Sequence, residues 1–450
     1  MRKLSRITVL LIFLVLLNSC GTKTEIKEKQ GFDAKLVPQM DYDHLVLQFP
    51  PGWTKERKDI FKDSLHLKKD PAKTCPCGDP NLEFLAWDYD NFPNLDIQAA
   101  KNGLTGGPGK AQGDQPFTFF LPELEKDSDY RITDITDAGT YKAKIAGLKK
   151  SLLDMDVMGN KINIVVIDTG IDFYKNRDMD PFLYSTENLS DECGEQNSGW
   201  NFVENTKEMD DDQGHGTYVT RLITSELDEA NVQYRILPLK VFNSKGEGNY
   251  WNIVCALSYI KKVQAANKNL HVMNASFGYS FFKSKMSDPD RINYAENSIV
   301  KELIDDLKGL SVIASAGNIG NDTNLPNNEN YPASFTSENI IGVGGYIQEN
   351  QNRELAGNFG NISIDVAAPF SDYKFSFRNK FSISVENVQL VGSSYSAAYT
   401  SAKMAELINN LQQTATPNQN KKSFLNPINN WVKIDPNLDY GISEGRYQEK

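Results

Sequence analysis

Apolar positions along the chain change rhythm from one segment to the next. Ile7 to Leu17 is a single apolar run with only Thr8 polar. From about residue 41 the pattern is mixed. His44–Phe49 and Leu82–Trp87 read as strands, and Pro50-Pro51-Gly52 as a turn. Thr54–Leu65 reads as an amphipathic helix, with Thr54 as N-cap and Ile60, Phe61 and Leu65 on the apolar face. A loop rich in Gly and Pro spans Asn102–Gln115, and Pro116–Leu121 returns to strand character. Farther on, the unbroken apolar runs Ile162–Ile167, Tyr234–Val241, His271–Asn274, Ser311–Ala316 and Ile340–Val343 alternate with helical stretches at Trp251–Val263 and Asn293–Leu310. Strands apolar on both faces and separated by helices predict a three-layer α/β unit around a mostly parallel sheet. Functional groups then belong at the carboxyl ends of its strands. A helix over Ser396–Leu411 follows, and the tail from Gln412 reads as polar and loop-like. The divisions expected are 1–19 signal, 20–40 polar tether, 41–124 small α+β domain, 125–144 linker, 145–412 main domain and 413–450 tail.

Arg2, Lys3 and Arg6 precede the first apolar run, which is too short to cross a bilayer. That combination reads as a secretory signal. Its end, Leu17-Asn18-Ser19-Cys20, resembles the lipobox of bacterial lipoproteins. The resemblance implies acylation of Cys20 and a lipid anchor in a bacterial membrane, with the chain outside the cytoplasm at the cell envelope. An ordinary signal with an incidental cysteine, or an uncleaved anchor, is the alternative. A net charge of −11 argues against a nucleic-acid partner, since phosphate binding needs clustered Lys and Arg. Besides Cys20, the cysteines are Cys75, Cys77, Cys193 and Cys255. An oxidising compartment permits a disulfide, but spacing does not choose the pairing. Cys75-Pro76-Cys77 lacks the spacing of a metal or redox motif and reads as structural. Cys255, in the apolar helix, reads as simply buried.

Three segments carry chemistry. Ile164-Val-Val-Ile-Asp168-Thr-Gly170 ends a buried strand in a carboxylate. Asp211-Asp-Gln-Gly-His215-Gly-Thr217 sets one of only four histidines between glycines, at the start of a helical pattern. Val391-Gly-Ser-Ser394-Tyr-Ser-Ala-Ala398 places hydroxyls at a helix N-terminus, whose unpaired N–H groups suit a developing oxyanion. Each has a plainer reading: a turn-forming Asp, a surface His, an N-capping Ser.

Taken together and in this order, the segments resemble the subtilisin-like serine peptidases, or subtilases, over about residues 145–412. Val272-Met-Asn-Ala-Ser276-Phe277-Gly278 looks like the family's substrate-binding strand. Val312-Ile-Ala-Ser315-Ala316-Gly317-Asn318 looks like the segment carrying the oxyanion-hole asparagine. Gly246-Glu-Gly248 resembles a loop on another side of the cleft. The resemblance implies a subtilisin-like fold with Asp168, His215 and Ser394 as catalytic triad and Asn318 in the oxyanion hole. Substrate would lie extended beside Ser276–Gly278, with Phe277 and Ser315–Gly317 bordering the first specificity pocket. The substrate would be a protein or peptide, no cofactor would be required, and a monomer is expected. Met209-Asp-Asp-Asp212 and Asp288-Pro-Asp290 offer oxygen atoms of the kind structural calcium takes, though no metal ligand is assigned.

The chain also departs from the family. Ser393 and Tyr395 stand where Thr and Met are usual around the nucleophile, Ala398 replaces a proline, and Tyr218 replaces a second histidine. Ser393 is thereby a rival nucleophile. The 41–124 segment resembles a subtilase propeptide, whose removal would release the enzyme from its anchor; an attached binding domain is the alternative. Two other functions stay open: an inactive binding lipoprotein, and a transferase passing the acyl group to an amine.

Overall fold

The computed structural model describes residues 38–68, 72–94, 104, 109–121, 161–171, 182–184, 186, 198–267, 269–281, 294, 297–349, 352–371, 373–379, 382–387 and 390–449. The signal run, Cys20, the linker at 125–144, Cys193 and Asp288–Asp290 therefore lie outside the described residues.

Among the described residues, a ten-stranded sheet organises the chain beyond residue 160. Its central strand is β7 (Ile162–Asp168), paired in parallel with β9 (Tyr234–Lys240) on one side and β11 (Val272–Ala275) on the other. Beyond β11 follow β12 (Ser311–Ser315), β13 (Ile340–Glu349) and β15 (Val366–Pro369), all parallel. β8 (Trp200–Asn201) lies outside β9, and β14 (Asn352–Ala356) returns antiparallel on β13. The order of strands thus reverses at β7, and a crevice opens at the carboxyl end of such a switch strand. Asp168 is the last residue of β7.

Alternation along these strands divides the core. Ile162, Ile164 and Val166 of β7 join one buried cluster with α2 (His215–Glu229) and α5 (Ser393–Asn410). Val165 and Ile167 join another with α3 (Tyr250–Asn267) and α4 (Ile299–Asp306). The helix expected over Asn293–Leu310 is shorter, because Ser298 caps it and accepts from Lys301 N at 3.2 Å. The helix expected from Ser396 starts earlier, at Ser393, which brings Ser394 into its first turn.

Residues before the linker build onto this frame. β2 (His44–Gln48) pairs with β4 (Leu82–Ala86) and with β5 (Gln112–Asp114), in a sheet that also holds β3 (Lys73–Thr74). The segment expected to loop through Gln115 thus contributes a strand. α1 (Lys55–Ser64) and the β2 residues Leu45 and Leu47 enclose a small core of their own. Val46 and Leu82 point the other way, into the cluster around α3. β1 (Gln39–Met40) and β10 (Glu247–Asn249) flank β6 (Phe117–Phe120). Cys255, expected simply to be buried, is bonded to Cys75 with a Cα–Cα distance of 5.2 Å. Cys77 is disulfide-bonded as well.

Asp114 fixes the same junction. Its buried carboxylate accepts from the Tyr250 hydroxyl at 2.5 Å and from Ile299 N at 2.6 Å. Burial, with Asp114 beside it, pushes the Tyr250 hydroxyl well above its ordinary range, so it stays a donor. Asp114→Ala orphans both donors, each at a cost of about 1–3 kcal/mol. The expected result is a destabilisation of roughly 3 kcal/mol, read as a lower urea midpoint at unchanged slope.

The tail corrects a second expectation. Far from loop-like, it forms α6 (Pro417–Leu425), β16 (Lys433–Ile434) and β17 (Arg446–Tyr447). β17 adds to the main sheet beside β15, and the Gln448 side chain accepts from Thr400 of α5 at 2.5 Å.

Candidate active site

The groups singled out from sequence converge at the carboxyl end of β7. Asp168 and His215 are both buried, and His215 Nδ1 lies 2.8 Å from Asp168 Oδ1 and 3.0 Å from Oδ2. Three features aim the histidine. Gly214, with φ at 101°, turns the chain into α2 as only glycine does readily. Gly216 lets that helix approach β7: a Cβ there would meet Gly170 O at 2.4 Å. Thr169 Oγ1 accepts from Gly216 N at 2.8 Å and holds the two segments together.

Asp211 organises the preceding turn. It accepts from Gln213 N at 3.1 Å, Gly214 N at 2.7 Å and Thr217 N at 2.9 Å. This carboxylate, read from sequence as part of a calcium-type acidic run, is thus committed to backbone donors. Burial by itself lowers the His215 pKa, but the charge and hydrogen bond of Asp168, with Asp211 behind, raise it above the ordinary value.

Ser394 is buried in the first turn of α5, and its Oγ donates to Ser276 O at 2.9 Å. The Ser276 hydroxyl in turn donates to Ser394 O at 2.7 Å. The nucleophile candidate and the candidate substrate strand are therefore latched together, with the Ser394 hydroxyl committed to the Ser276 carbonyl.

Ser393, the rival by sequence, has a different task. Its N–H and its hydroxyl both donate to Asn318 Oδ1, at 2.9 and 2.8 Å, and its oxygen accepts from Gly317 N at 3.0 Å. With Oδ1 occupied, the Asn318 amide is oriented so that Nδ2 is left to donate. Nothing in the sequence signalled this role.

Asn330 was also missed. Its Nδ2 donates to Ser315 O at 2.9 Å while its side chain fills the space a Gly278 Cβ would need. It thereby braces the two segments expected to line the substrate. Asn358 completes the brace, donating to Ala316 O at 2.8 Å and turning its Oδ1 to Ile319 N and Asn321 N. Phe277 is buried and packs on Phe242 and on Phe119 of β6. Tyr395 sets its ring 5.7 Å from that of His215, with a buried hydroxyl that has no partner among the described residues.

The chain is similar to several known proteins. Thermitase of Thermoactinomyces vulgaris is 26% identical over 219 residues, covering 47% of this chain and 64% of that protein. A thermophilic serine proteinase of Bacillus sp. (strain AK1) is 30% identical over 215 residues, 46% of this chain and 44% of that protein. The matched region is thus less than two thirds of either relative. Among solved structures, a cold-adapted subtilisin-like serine proteinase aligns at 20% identity with a TM-score of 0.43, covering 64% of this chain and 87% of that one. The profile of the subtilase family, peptidase S8, matches residues 159–442. That span is more than half of the chain and takes in the end of β7, the His215 turn, the Asn318 segment and the start of α5, so the chain belongs to the subtilase family.

Proposed function

We propose that the chain is a serine endopeptidase of the cell envelope, lipid-anchored at Cys20, with Asp168, His215 and Ser394 as its triad. The observation that carries the reading is the buried Asp168–His215 pair. A carboxylate on Nδ1 leaves Nε2 as the base, the tautomer that nucleophile activation needs. Ser394 Oγ attacks the peptide carbonyl carbon while its proton passes to His215. That proton then goes to the leaving amine as the C–N bond breaks, and water hydrolyses the acyl-enzyme. Asn318 Nδ2 and the Ser394 N–H stabilise the oxyanion. No cofactor is needed for these steps.

Substrate itself completes the alignment. An extended peptide pairing with the Ser276–Gly278 strand offers an N–H to the Ser276 carbonyl. That donor displaces the Ser394 hydroxyl and frees it to donate to His215. Asn318→Ala is expected to lower kcat by about 10²–10³, a magnitude carried over from subtilisin, with little change in KM. Steady-state hydrolysis of a fluorogenic peptide measures both.

The test of the whole reading is labelling of the folded chain by a fluorophosphonate, together with hydrolysis of an unfolded protein substrate. One observation favours the alternative of an inactive binding lipoprotein: Ser394 donates to Ser276 and not to His215. If that arrangement persists with substrate present, neither labelling nor hydrolysis will occur.

A further inference from the structure

Among the described residues, three features stand out in fastening the segment before residue 122 to the rest of the chain. β6 lies antiparallel on β10, with Phe120 opposite Glu247, Phe119 opposite Gly248 and Thr118 opposite Asn249. Leu121 N continues the ladder to Gly246 O at 2.8 Å. Gly246–Gly248 is the loop whose resemblance makes it one side of the cleft, so β6 holds a backbone edge that an extended substrate would use. Leu121 and Gln213 of the His215 turn both lie beside Gly246. A Cβ built on Gly246 would sit 3.4 Å from Leu121 Cβ and 3.7 Å from Gln213 Nε2. Gln213 in turn accepts from His215 N at 2.8 Å. The second fastening is Asp114, bound to Tyr250 and to the start of α4. The third is covalent: Cys75–Cys255 spans a sequence separation of 180 residues and crosses the whole linker.

We propose that residues 38–121 stay on the catalytic core as a covalently held occupant of the β10 edge, even after the chain is cut between Leu121 and Lys161. Such a cut opens the backbone but not the bridge, so it retains the segment where simple propeptide removal would release it. A strand tethered at an effective concentration on the order of millimolar competes with substrate far better than the same strand set free. The inference rests on the peptidase reading for the identity of the cleft, but the bridge and the strand pairing exist without catalysis.

The test uses the full chain carrying Ser394→Ala, which prevents self-cleavage, with a recognition sequence for a site-specific protease at residues 130–136. After cutting, a denaturing gel is expected to show one species of full mass without reductant and two species with dithiothreitol. Two species without reductant overturn the proposal. Since Cys77 is also disulfide-bonded, Cys77→Ser is cut in parallel, and separation of that variant without reductant equally overturns it. Non-reducing peptide mapping of the chain with all its cysteines is expected to yield the Cys75–Cys255 linked peptide, and both thiols free would sink the idea independently of how any variant folds. Amide exchange reads the strand: protection at 117–121 and 247–249 should survive the cut, and its loss excludes occupancy. Failure of the peptidase reading would appear instead as no fluorophosphonate labelling of the Ser394 chain.

Discussion

Ser394→Ala is expected to reduce kcat by about 10⁶, the magnitude known for loss of the nucleophile in subtilisin and carried over from it. Among the described residues, the two serines beside it are already engaged. Ser393 is held between Gly317 N and Asn318 Oδ1, and Ser396 donates to Pro369 O at 2.7 Å. Hydrolysis of a fluorogenic peptide reads the loss, and fluorophosphonate labelling should vanish with it. Retained labelling would move the nucleophile elsewhere. Fold should survive, because the change removes one buried hydroxyl donor while its acceptor, Ser276 O, keeps a second lone pair for other partners.

Asp168→Asn is expected to cost about 10⁴ in kcat, the order found when a serine-peptidase triad loses this carboxylate. The substitution keeps size and burial but can present an N–H to His215 Nδ1, which favours the wrong tautomer. It also changes the pH profile. In the parent chain the charge of Asp168 outweighs burial and raises the His215 pKa above its ordinary value. Catalysis needs neutral His215, so kcat/KM climbs with pH and its acid limb should centre above about 6.5. With asparagine the burial effect remains and the raising charge is gone, so the midpoint should fall. A midpoint that stays in place would mean that another group governs the limb.

Much of the frame was legible because physics wrote it locally. Ile162–Ile167 and Ser311–Ala316 are unbroken apolar runs, a pattern that strands buried on both faces require. Glycines flanking His215 marked a special backbone. Other features depend on distance in space. Ser393 looked like a second nucleophile, and only its position beside Asn318 shows that it orients the amide. Asp211 looked like part of a calcium-type acidic run and is instead the scaffold of the histidine turn. Cys75 and Cys255 carry no local sign of their pairing. The tail is different, since its signal was present: Thr416-Pro-Asn-Gln419 forms a capping box with proline at the first turn. Polar composition outweighed that signal and hid a helix.

The placement of the site at a switch strand has a consequence for the cell that makes the chain. Asp168 ends β7, His215 starts α2, Asn318 follows β12 and Ser394 starts α5. No contiguous stretch holds more than one of them, so a nascent or half-folded chain is chemically harmless. On the proposed reading, cutting power appears only when the long-range sheet has closed. Topology thus acts as a safety catch during biosynthesis, before any inhibitor is called on.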